Sequence, residues 1–193
     1  SFLRFHRPTK YGDNLTEIRH TVAFANEYQK PISGFEEGRI YNGYRFVYPL
    51  KYNDKYLGSV ETSVSMESIM NDLKKELSSE LSFIIKKSVV DNTIFEEEKD
   101  NYVQCSINND FYHEKSISKD ENEIMGTIIK EYFEKNPTQA KNNLKSGEIF
   151  NFYSFYKNNY YITTYLPLKN IVSNQTVAYI IILNEHNDLH DFI

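Results

Sequence analysis

The sequence has no tryptophan, one cysteine, five prolines and seven glycines in 193 residues. A single cysteine excludes an internal disulfide framework and a cysteine-rich metal site, and it leaves the redox compartment open. In the run Tyr102-Val-Gln-Cys-Ser-Ile107, Cys105 reads as a small buried residue of a strand. So few glycines leave little material for tight phosphate cradles, and no Gly-rich phosphate loop, G-x-S-x-G or H-E-x-x-H is present. The 22 basic residues are scattered through a chain of net charge −5, with no basic block or RGG run, which argues against a nucleic-acid partner. No apolar run approaches the roughly 18 residues of a membrane helix, and no signal peptide opens the chain. The longest such run, Val177 to Leu183, has the length of a strand. These absences point away from an enzyme: no catalytic residue, no metal ligand and no cofactor is assigned.

What is present suffices for real cores: 40% of the residues are hydrophobic and 15% aromatic, as 16 Tyr and 13 Phe. The abundance of Asn, Lys and Ile suits an AT-rich genome. The opening Ser1-Phe-Leu-Arg-Phe5 reads as a strand already under way, as in a fragment of a longer protein. A helix should follow, with Asn14 as N-cap, Glu17 completing a capping box, and Pro31 closing the segment. Strands are expected over 32–40, 44–52 and 56–64, the last two joined by Asn53-Asp54 as a hairpin turn. Ser65 then caps a helix with Met66, Ile69, Met70, Leu73 and Leu77 on one face.

The second half opens with a strand at Leu81–Ile85, followed by the strand around Cys105 and a helix over about 120–135. A shorter helix should start at Asn136-Pro137 and end near Gly147, before strands over 149–155, 160–168 and 176–183. The two halves echo each other. Tyr48-Pro-Leu-Lys51 and Leu166-Pro-Leu-Lys169 each end a strand, make a short turn and lead into another strand. The expected fold is therefore α+β: two tandem modules, 1–78 and 79–193, meeting near residues 78–82. Each is an antiparallel sheet with helices mainly on one face. The alternative is one continuous α+β domain.

Several short motifs resemble the signature of double-Cache (PAS-like) sensor regions. They are Arg4, His6, Pro8 and Tyr11-Gly-Asp-Asn-Leu15, then Arg19, then Gly34-Phe-Glu-Glu-Gly38, Arg45, Pro49 and Gly58-Ser-Val-Glu61. The likeness covers residues 3–64; the remainder is similar only in outline, as a membrane-proximal module. The resemblance implies the periplasmic region of a bacterial inner-membrane receptor that lies between two membrane helices. Its output would be a histidine kinase, diguanylate cyclase or chemotaxis module. It implies a small-molecule ligand, a membrane-spanning parent and a homodimer in the intact receptor. The long N-terminal helix and first strand of the distal module, and both membrane helices, have no counterpart in the sequence. An untethered periplasmic binding or scaffold protein is the alternative. A hydrolase using His6 and Asp13 would lack a nucleophile.

The candidate site lies in the distal module and consists of Arg4, His6, Tyr11, Arg19, Glu36, Arg39, Arg45 and Tyr48, arranged for a small anion or carboxylate. Arginine offers a planar fork to a carboxylate, and tyrosine an apolar wall with a polar tip. On a helical wheel Arg19 lies about 40° from Leu15, at the border of the apolar face. The competing reading pairs these arginines with Asp13, Glu36, Glu37 and Glu61, because buried charges need partners. For Arg45 the alternatives are a ligand clamp and an ion pair with an acid such as Glu61. Strand register decides between them. His186 and His190 stand four residues apart but read as a solvated helix at the chain end rather than a metal site.

Overall fold

A computed structural model describes residues 8–9, 11–12, 19–40, 42–118 and 123–186. The opening strand, Arg4, His6, Asp13, the expected capping box and His190 lie outside them.

The first helix, α1 (His20–Tyr28), starts with Arg19 as its N-cap, in a non-helical conformation (φ −113°, ψ 80°). Three strands follow: β1 (Ile32–Glu36), β2 (Gly43–Tyr52) and β3 (Lys55–Ser65), forming an antiparallel sheet in the order β1-β2-β3. Asn53 and Asp54 turn the β2–β3 hairpin with positive φ (47° and 58°), the left-handed geometry that matches the twist of the strands. The Oγ of Ser65 accepts the amide of Ser68 and caps α2 (Met66–Glu76).

The second sheet has six antiparallel strands in the order β5-β6-β4-β9-β8-β7. They are β4 (Glu80–Lys86), β5 (Tyr102–Gln104), β6 (Phe111–Glu114), β7 (Phe150–Tyr156), β8 (Asn159–Lys169) and β9 (Thr176–His186). Between β4 and β5 come α3 (Lys87–Thr93) and a 3-10 turn at Glu96–Asn101; between β6 and β7 come α4 (Lys115–Ser118), α5 (Glu123–Lys135) and α6 (Pro137–Ser146). Pro137 opens α6 and Gly147 closes it in the left-handed conformation (φ 68°), as their positions require. The strand reading of His186 replaces the helical one: that residue ends β9.

The central strands β4 and β9 are buried on both faces. On one face α5 and α6 bring Met125, Ile128, Ile129 and Leu144 against Ile84, Tyr165, Tyr179 and Ile181. On the other, Met66 and Met70 of α2, with Val90 and Ile117, pack on Leu81, Phe83, Ile85 and Ile180. Phe35 of β1 joins this second core, so the first sheet contributes to the packing of the second. Cys105 is buried and free.

The sequence echo has a structural counterpart. In the β2–β3 hairpin the register shifts after Leu50, which faces Gly58, so that Lys51 faces Tyr56 and Leu57 is the extra residue. In the β8–β9 hairpin it shifts after Leu168, which faces Ala178, so that Lys169 faces Thr176 and Val177 is the extra residue. Each Pro-Leu-Lys thus carries a β-bulge at its Leu-Lys step.

Candidate functional site

Strand alternation sorts β2 into two faces. Gly43, Arg45 and Val47 turn inward under α1, while Tyr44 and Tyr48 are exposed on the other face. Opposite Arg45 stand Gly34 of β1 and Ser63 of β3; opposite Val47 stands Glu61. This register places two arginines and two glutamates together. Arg19 donates from Nε to Glu36 Oε2 at 3.0 Å and from Nη2 to Glu61 Oε2 at 2.5 Å. Arg45 Nη1 lies 3.5 Å from the other oxygen of Glu61. Glu36 also accepts the Thr21 amide at 2.9 Å and the Thr21 hydroxyl at 2.6 Å, so its carboxylate sits at the N-terminus of α1 where the helix amides point. Burial works against the charge on Arg19, but the attraction and hydrogen bonds of Glu61 and Glu36 outweigh it and raise its pKa. The cluster is buried, with Arg45 only 4% exposed, and its four formal charges cancel.

Of the eight residues expected to form the site, Arg19, Glu36 and Arg45 are brought together, and Glu61 joins them as the shared acid. Arg4 and His6 lie outside the described residues. Tyr11 is 71% exposed, and Tyr48 faces away from Arg45 because three strand positions separate them. Arg39 is elsewhere too: its guanidinium stacks 4.8 Å from the centre of the Phe95 ring, and its carbonyl accepts the Phe95 amide at 3.0 Å. Arg19 reaches the site from an N-cap position rather than from the face of a helix, which replaces the wheel argument. Arg45 has an acid within reach, the geometry expected of an ion pair.

Next in the chain to Glu36, Glu37 turns the other way. It is buried, and its Oε2 accepts the side-chain amide of Asn170 at 2.6 Å, in the loop between β8 and β9. Burial raises its pKa above the usual carboxylate value despite that bond. The loop is itself ordered by Asn170 Oδ1, which accepts the amides of Val172 and Ser173. Ile171 then donates its amide to Phe35 O of β1. A Cβ on Gly34 would lie 2.6 Å from the Ile171 side chain, so only glycine admits this approach.

A second buried polar link joins Asn42 to the other sheet. Asn42 donates to Tyr102 Oη at 2.7 Å and to Glu114 Oε2 at 3.3 Å. Burial raises the pKa of both Tyr102 and Glu114. Asn42, Asn170, Tyr102 and Thr21 carried no signal in the sequence beyond their type, because their partners lie 15 to 133 residues away. Among the described residues there is no group of three or more His, Cys, Asp and Glu fit for a metal, and no helix long and apolar enough to cross a membrane.

Comparison with known proteins fits this architecture to a family. Residues 1–188 match the family described as the double sensory domain of two-component sensor kinase, a double Cache domain. The chain is similar to the ligand-binding domain of the Pseudomonas fluorescens chemoreceptor CtaA crystallised with L-isoleucine, at 12% identity and a TM-score of 0.35, over 91% of this chain and 61% of that one. For the same domain with L-alanine the figures are 13%, 0.31, 82% and 56%. The chain therefore spans about 61% and 56% of those two domains. No curated protein matches. The chain belongs to the double Cache family of sensory domains.

Proposed function

We propose that this chain is the extracytoplasmic, periplasmic sensing region of a bacterial receptor that spans the inner membrane, and that it reports a small carboxylate bound in its first module. Residues 1–78 form that distal module and 79–193 the membrane-proximal one. The intact receptor is a homodimer. An exposed apolar band on the outer face of the first sheet, including Tyr44, Tyr48, Val60 and Val64, supports a further packing partner there.

One observation carries the reading. Glu36, the last residue of β1, and Glu37 just beyond it face opposite ways, Glu36 onto the Arg19–Glu61–Arg45 cluster and Glu37 onto Asn170 of the second module. A ligand carboxylate would take the place of Glu61 on Arg45, a contact 1.0 Å longer than the one Glu61 makes with Arg19 (3.5 against 2.5 Å). Because the cluster is already neutral, a ligand that also carries an amino group suits it best: its carboxylate pairs with Arg45 and its ammonium with the released Glu61. Such an exchange changes what anchors the end of β1, and β1 holds the loop at Asn170 and Ile171. Signalling of this kind requires the ligand to favour one arrangement over the other.

The test is a thermal-shift screen of amino acids and organic acids on wild type and Arg45→Gln. A binder at about 100 times its Kd stabilises by about 2.7 kcal/mol. The proposal predicts at least one carboxylate hit whose shift disappears in Arg45→Gln. A hit that shifts both proteins equally, or no hit at all, contradicts it.

A further inference from the structure

Where β4 gives way to α3, the turn between β5 and β6 and one side of α6 enclose a cleft of about 570 Å³. That is within the range of small-molecule sites, roughly 300–1,000 Å³. Its walls are tied together by the bond from the Lys87 amide to Asp110 O at 2.8 Å. Its floor includes Phe111 and Leu144, both buried members of the core under α5 and α6.

The rim is cationic. Lys86, Lys87, Lys141 and Lys145 line the cleft against two acids, Asp91 and Asp110, a surplus of two positive charges in a chain whose net charge is −5. Lys141 and Lys145 stand one turn apart on α6, where like charges repel at i, i+4. Some lysines elsewhere in the chain are paired with acids: Lys75 with Asp72, Lys135 with Glu131, Lys169 with Glu148. Lys86, Lys141 and Lys145 form no such pair with a described carboxylate. Lys87 is held over the Tyr112 ring, 5.4 Å from its centre. A cleft lined by one sign of charge over a low-dielectric floor concentrates the opposite charge.

We infer that this cleft is a second binding site, for a small organic dianion whose apolar part rests on Phe111 and Leu144. Lysine ammoniums act as point charges rather than planar forks, so two carboxylates or one phosphoryl group attached to an apolar body share the required chemistry. The site uses none of the residues of the Arg19–Arg45 cluster.

Calorimetric titration with phthalate, phenyl phosphate and inorganic phosphate tests it, on wild type, Lys141→Gln/Lys145→Gln and Asp91→Asn. Phthalate or phenyl phosphate should bind wild type, more tightly than inorganic phosphate. Whichever of the two binds tighter distinguishes a dicarboxylate source from a phosphorylated one. The double variant should lose about tenfold in affinity and Asp91→Asn should gain a few-fold, both effects shrinking as salt rises. Lys141 and Lys145 are exposed, so the variant keeps its fold, and far-ultraviolet circular dichroism checks this. Arg45→Gln should bind these probes as wild type does, which separates the fate of this site from that of the distal one. No binding by either organic probe, unchanged affinity in the double variant, or inorganic phosphate binding as tightly as the organic probes overturns the inference.

Discussion

The two sheets carry the same hairpin bulge in opposite surroundings. In the first sheet the extra residue Leu57 is 57% exposed, and the inward face under α1 is held by charges, Arg19, Arg45, Glu36 and Glu61. In the second the equivalent Val177 is 6% exposed, and aliphatic and aromatic side chains fill both faces. The turns differ as well: Asn53-Asp54 only reverses the chain, whereas the loop over 170–175 leaves its own hairpin and grips β1. A core of dispersion contacts resists small displacements, while a network of discrete charges can exchange partners. The contrast fits the proposal that ligand exchange at the charge cluster moves the first sheet against a stiffer second one.

Breaking the apolar side should have the largest effect. Phe83→Ala removes a ring that is 1% exposed at the centre of β4, and should cost about 3–5 kcal/mol in a chemical denaturation experiment. Glu61→Ala leaves Arg45 without that carboxylate, while Arg19 keeps Glu36. About 3 kcal/mol should be lost, at the lower end of what breaking a buried ion pair costs because Arg19 keeps one partner. Equal and slight destabilisation by both variants would erase the distinction between the two sheets.

The link between them is sharpened by pH. Burial raises the pKa of Glu37 in the folded chain above its unfolded value, so its protonated form is favoured by folding. Its contribution is therefore fully present below the unfolded pKa and is lost as pH rises through the folded one. Glu37→Gln keeps an acceptor for Asn170 and removes the titration. The melting temperature of wild type should lose more than that of the variant as pH rises from 4.5 toward neutrality. Parallel curves would contradict this. The smallest effect belongs to the outer face of the first sheet: Val60→Ser, at a position 50% exposed, should shift stability by no more than about 0.5 kcal/mol in the isolated chain.

How far the sequence foretold this depended on how local the signal was. Ser65, Asn53-Asp54, Pro137 and Gly147 act through their own backbone and were legible. The four-residue β6 and the helix α3, whose Val89, Val90 and Thr93 are poor helix formers, were not, because tertiary packing overrides their weak preferences. In the site, Glu61 was visible only as one of several acids, since register fixes its partner. Tyr48 was separable from Arg45 by strand parity alone, a signal available in the sequence. The Glu37–Asn170 pair spans 133 residues, and no local pattern announces it.

The central proposal is that the charge cluster of the first sheet is coupled through β1 to the second sheet. Amide hydrogen exchange at Ile171, whose N–H is bonded to Phe35 O, tests it most directly. The measurement is made on wild type with and without the carboxylate identified by thermal shift, with Tyr165 at the centre of the second core as reference. Coupling predicts a changed exchange rate at Ile171 on ligand addition and little change at Tyr165. A ligand that alters exchange only within residues 19–65 and leaves Ile171 unchanged would contradict the account.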